Sequence, residues 1–75
     1  MRYCGWVDLV EGGYFAVARV DDQSKVEMFN VAEKQWVKSD RSAYEMAYST
    51  EWDNIDEQTA LKAIREMTGD ETLTL

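Results

Sequence analysis

Residues 1–20 read MRYCGWVDLVEGGYFAVARV. Whether this stretch is a β-hairpin decides what the rest of the chain can build. Its first half alternates. Tyr3, Gly5, Val7 and Leu9 fall on one side of an extended chain, and Arg2, Cys4, Trp6 and Asp8 on the other. Glu11-Gly12-Gly13 follows, and paired glycines supply the positive φ that a tight turn needs. YFAVARV, Tyr14 to Val20, is almost unbroken in apolar character, which suits a central strand covered on parts of both faces. The expectation is a hairpin with strands over 1–10 and 14–20.

Working outward, Asp21 to Ser24 is a second turn, and KVEMFNV, Lys25 to Val31, a third strand with Glu27 toward solvent. A polar turn over Ala32 to Gln35 returns the chain into a short strand at Trp36 to Lys38. Every connection is short, so an antiparallel meander of three or four strands over residues 1–38 is the simplest topology. The chain has no proline to break a strand.

The period changes after Ser39. Ser39-Asp40 offers an N-cap, and residues 42–50 follow a helical repeat. Asp56 reads as the N-cap of a second helix over 57–68. Glu57 lies in its first turn against the positive helix end, and Ile55 packs back on Ala60 as a staple. Ala60, Leu61, Ile64 and Met67 form an apolar stripe. Lys62 and Glu66 pair outside it, and Gly69 ends the helix. Residues 70–75 are a frayed tail or a short added strand. The fold class expected is therefore α+β in a single domain, 1–75. It has a sheet half, 1–38, and an acidic helical half, 39–69, whose short and longer helices pack on one face. Val7, Leu9, Phe15, Val17, Met28, Trp36, Tyr44, Leu61, Ile64 and Met67 are the expected core.

Composition narrows the chemistry. Of 75 residues, 45% are hydrophobic and 31% charged, a folded balance, although the chain is near the lower size limit for a self-sufficient core. There is one cysteine, Cys4, and no histidine. An intrachain disulfide, a Cys/His zinc site and catalysis by Ser-His-Asp or Cys-His within the chain are thereby excluded. Cys4 lies in an apolar run and reads as a small buried hydrophobe. A lone thiol fits a reducing, cytoplasmic setting. No signal peptide is recognisable at the start, and no run approaches the roughly 20 apolar residues of a membrane span.

No phosphate-binding loop surrounds Gly12-Gly13, and DNIDEQ lacks the glycine and distal glutamate of a calcium loop. The acidic pairs Asp21-Asp22, Asp56-Glu57 and Asp70-Glu71 lie where turns, caps and tails use acids. No catalytic residue, cofactor or metal ligand is assigned, and a non-enzymatic role is expected. A sequence pI near 4.3 argues against direct nucleic-acid binding.

The charge is unevenly placed. Residues 1–38 hold five basic and six acidic side chains, net −1; residues 39–75 hold three and nine, net −6. Within the second half, residues 44–57 read YEMAYSTEWDNIDE, with Tyr44, Tyr48 and Trp52 at helical spacing among acids. On one helix those rings would share a face, either packed on the sheet or with at least one ring exposed as an anchor, and Trp52, between Glu51 and Asp53, is the first candidate for exposure. The candidate partner-binding residues are Asp40, Glu45, Glu51, Trp52, Asp53, Asp56 and Glu57, with Arg41 the lone base among them. Acids with aromatic anchors suit a basic protein surface. Small acidic inhibitors that imitate nucleic-acid charge, including those of phages and mobile elements, share this size and composition. The alternative is a structural domain that forms a homodimer through a sheet edge, either Met1 to Val10 or Trp36 to Lys38.

Overall fold

The computed structural model describes residues 1–75. Four strands come first: β1 (Arg2–Val7), β2 (Tyr14–Val20), β3 (Val26–Asn30) and β4 (Gln35–Lys38). A short helix α1 (Ala43–Tyr48), a fifth strand β5 (Trp52–Ile55) and the helix α2 (Glu57–Thr68) follow. The sheet is antiparallel with order β4-β3-β2-β1-β5. The α+β class and the meander of β1 to β4 agree with the sequence, as does β2 in the centre. The sheet has five strands rather than three or four, because residues 52–55 pair with β1 instead of only connecting the two helices.

That fifth strand changes the layering. β4 and β5 are the two edges, so residues 39–51 cross the sheet from one side to the other. At about 4.8 Å per strand the crossing spans roughly 19 Å, and α1 is the middle of that bridge. Met46 on α1 is buried with Cys4, Ala18, Val20, Val26 and Trp52. α2 returns over the other face, where Ala60, Ala63 and Ile64 meet Val17 and Phe29. The helices therefore lie on opposite faces, not together on one. Strand alternation explains the division: Cys4 and Ala18 point one way, and Val17 and Phe29 the other.

Several expected core residues are outside it, each for a local reason. β1 stops at Val7 because Asp8 turns the chain. Its Oδ1 accepts from Val10 N–H at 3.0 Å and Glu11 N–H at 3.1 Å, an aspartate-built turn that strands Leu9 in solvent at 91% exposure. Phe15 is 64% exposed because β2 bulges there. Trp6 pairs with Ala16 but Val7 with Tyr14, leaving Phe15 the extra residue. Val7, Met28, Trp36, Leu61 and Met67 are half-buried, whereas Val17 and Ile64 are fully enclosed.

Both helices begin at capping side chains. The cap of α1 is Ser42, whose hydroxyl accepts from Tyr44 N–H at 3.2 Å, rather than Ser39-Asp40. Ser39 instead donates its backbone N–H to Val26. Asp56 caps α2, accepting from Thr59 N–H at 2.7 Å, and Gly69 ends it in the left-handed conformation. Lys62 and Glu66 are both exposed and form no ion pair. The tail forms no strand: Arg65 Nε donates to Leu73 O at 3.0 Å, and Leu73 and Leu75 pack beside the α2 cluster.

Asp21, Asp56 and Asp70 hold turns or caps and are made more acidic by doing so. The Thr72 hydroxyl and N–H, helped by Lys34, hold Asp70 at about 2. Hydrogen bonds from Thr59 lower Asp56, and the Lys25 and Gln23 backbone N–H groups lower Asp21. Since an aspartate titrates at about 3.9 when unfolded, these groups favour folding fully above that value, and the stabilisation is lost as pH falls toward Asp70's folded value. Urea midpoints are expected to drop between about pH 5 and pH 2. The drop should be shallower in Asp56→Asn and Asp70→Asn; a wild-type midpoint flat over that range would contradict the assignment.

Candidate functional site

Residues 40–57 are divided by the fold into a crossover and an edge. Asp40 precedes α1, and Glu45 lies in its first turn. Glu51 leads into β5, Asp53 lies within it, and Asp56 and Glu57 follow at the start of α2. Asp53 therefore lies in the exposed edge strand, Glu51 just before it and Asp56 and Glu57 just after it, with Asp40 and Glu45 on the segment that reaches it. All six acids are exposed.

They are not equivalent. Asp56 is occupied as the α2 cap. The carboxylates of Asp40, Glu45, Glu51, Asp53 and Glu57 take part in no intrachain hydrogen bond or ion pair. The ion pairs lie elsewhere: the N-terminus with Asp22, Arg19 with Glu27, and Lys34 with Asp70. Acids elsewhere hold turns, as Asp8 and Asp21 do, whereas these five hold nothing in the fold.

The three rings part company. α1 ends at Tyr48, where Ser49 is extended and its hydroxyl accepts from Glu51 N–H at 3.1 Å. Trp52 is therefore a strand residue. It lies opposite Trp6 with ring centroids 5.5 Å apart, and is only 7% exposed. Tyr44 and Tyr48 turn outward, 71% and 75% exposed, and pack against each other at a 41° tilt with ring centroids 4.5 Å apart. The expected arrangement is inverted: the tyrosines are surface rings and the tryptophan is core. Tyr44 and Tyr48 are absent from the binding candidates that the sequence offers. Their signal was Met46 between them, which claims the inward side of so short a helix.

Arg41, the lone base of this segment, holds its guanidinium 5.4 Å from the Trp6 ring and 5.7 Å from Trp52. It pairs with none of the neighbouring acids. Cys4 is buried on the same side, and burial raises its thiol pKa against the nearby Arg2 charge. That makes it a poor nucleophile at neutral pH.

The broadest concavity lies along α2, lined by Lys34, Lys62, Arg65, Glu66, Asp70 and Glu71 among others. It mixes both signs of charge, and Asp70, ionised down to about 2, is a weak base there. β1 is paired on both sides, so of the two edges considered for self-association only β4 is free. No helix is long and apolar enough to cross a membrane. No protein family, characterised protein or solved structure matches the chain.

Proposed function

We propose that this chain is a small, non-enzymatic protein-interaction module whose acidic half meets a basic partner surface, one that otherwise binds nucleic acid. The observation that carries this is the set of five exposed carboxylates without intrachain partners, Asp40, Glu45, Glu51, Asp53 and Glu57. They accompany an outward-facing tyrosine pair. Charges with no role in the fold are free to steer an oppositely charged surface, and exposed tyrosines are frequent anchors at protein interfaces. In this reading Trp52, 7% exposed, supports the surface from beneath and is not a projecting anchor.

The test is a triple reversal, Glu45→Lys, Glu51→Lys and Asp53→Lys. Asp56 is left alone because its loss would uncap α2. Proteins captured from lysate at low salt and released at high salt supply the partner, whose affinity is then measured with and without competing nucleic acid. Binding is expected to weaken by about tenfold or more, mainly through slower association. A folded triple variant of unchanged affinity refutes the proposal.

The second reading, a homodimer, rests on the open β4 edge, where Val37 is exposed beside Lys38. Sedimentation over a hundredfold concentration range separates the readings, since dimerisation through β4 leaves the acidic edge unused.

A further inference from the structure

The Arg41 contact is unlike the other arginine–ring contact in the molecule. Arg19 lies 4.3 Å from the Trp36 ring centroid and is also pinned by a 2.8 Å hydrogen bond from Nε to Glu27. Its side chain is half-buried on the α2 face, and it is a fixed part of the fold. Arg41 sits in the loop before α1, exposed, its backbone N–H bonded to Ser39 Oγ at 3.1 Å. Its guanidinium makes neither ion pair nor hydrogen bond, although Asp40 is its neighbour and further unpartnered acids follow. Only the faces of Trp6 and Trp52 hold it. A cation within about 6 Å of a ring centroid is attracted by the ring's negative face, and two tilted indoles offer two such faces to one guanidinium.

Building on the interaction reading above, we infer that the Trp6–Trp52 notch is a cation-binding site for an arginine side chain of the basic partner, with Arg41 as its resident placeholder. An incoming arginine displaces Arg41 into solvent and takes its place over the two rings. The neighbouring carboxylates supply the long-range attraction, and the notch supplies the choice of side chain. Arg41 thereby sets the affinity: it competes for the rings, and its own charge offsets one of the acids that recruit the partner.

The probe is a short arginine-containing cationic peptide, titrated into the full chain while the three indole N–H resonances are followed by NMR. Trp6 and Trp52 are expected to shift together, with Trp36 still. Arg41→Gln is expected to tighten the peptide about two- to fivefold, the size of one exposed cation–ring contact. Removing any positive charge favours a cationic peptide, so the comparison is with Lys62→Gln on α2, which removes the same charge away from the notch. Only tightening beyond that control counts.

Peptide binding that moves amides over residues 45–57 but leaves the Trp6 and Trp52 indoles unmoved overturns the notch while sparing the acidic surface. Absence of any binding overturns both. An Arg41→Gln protein that is unfolded, or that binds no tighter than Lys62→Gln, assigns Arg41 to the fold and likewise ends the inference.

Discussion

Replacing Trp52 by alanine is expected to remove about 3–5 kcal/mol of folding free energy, the cost typical of deleting a buried tryptophan. At roughly 0.05–0.15 kcal/mol per residue, a chain of 75 residues has about 4–11 kcal/mol in all to lose. Trp52→Ala should therefore be unfolded, or lose a large share of its urea midpoint. Tyr44→Ala and Tyr48→Ala should each shift stability by less than about 1 kcal/mol, as exposed side chains do. The contrast is the informative result. These three rings are four residues apart, and on one helix face their truncations would be comparable. They differ because the helix stops at Tyr48 and the chain turns into an edge strand, which sends Trp52 under the crossover against Trp6, Cys4 and Met46. Comparable losses at all three positions would restore a continuous helix and remove β5. The measurement is urea unfolding followed by far-ultraviolet circular dichroism, which does not depend on the deleted fluorophore.

β5 was hidden from the sequence for a physical reason. WDNI has neither the length nor the alternation of an independent strand, and only its pairing with Tyr3 to Trp6 makes it one. That contact joins residues about fifty positions apart, which local pattern cannot register. What was legible was local: the apolar run of β2, the Asp56 cap, the bounds of α2 and the left-handed Gly69 stop. The acidic edge was legible as charge but not as geometry. Nothing in DNIDE distinguishes the cap at Asp56 from the unpartnered carboxylates of Asp53 and Glu57, and only the helix start makes that distinction. Arg41 was legible only as an exception in an acidic run. Its contact depends on Trp6 and Trp52 meeting across the β1–β5 ladder.

Substituting Gly5 is the second large effect expected, and it follows from the bulge in β2. The extra residue at Phe15 turns Tyr14 to the α2 face, where it packs against the second cluster. There its ring lies directly over Gly5: a methyl built on Gly5 would come within 2.5 Å of Tyr14 Cδ1 and 2.8 Å of Cγ and Cε1. Gly5 has no positive φ, so its backbone accepts any residue and the whole cost is steric. Gly5→Ala is expected to destabilise by about 1–3 kcal/mol, and the branched Gly5→Val by at least as much as the top of that range. A surface glycine such as Gly12, whose built methyl meets nothing, carries only the cost of its conformation. The double variant isolates the cause. With Tyr14→Ala in place, the methyl at Gly5 has room, and alanine is the better strand residue because it loses less entropy on folding. Gly5→Ala should then be neutral or slightly stabilising, a coupling of about 1–3 kcal/mol across four urea curves. Additive losses would show that Tyr14 does not cover Gly5. The bulge would then not be where the register places it, and Phe15 would regain its claim to the core.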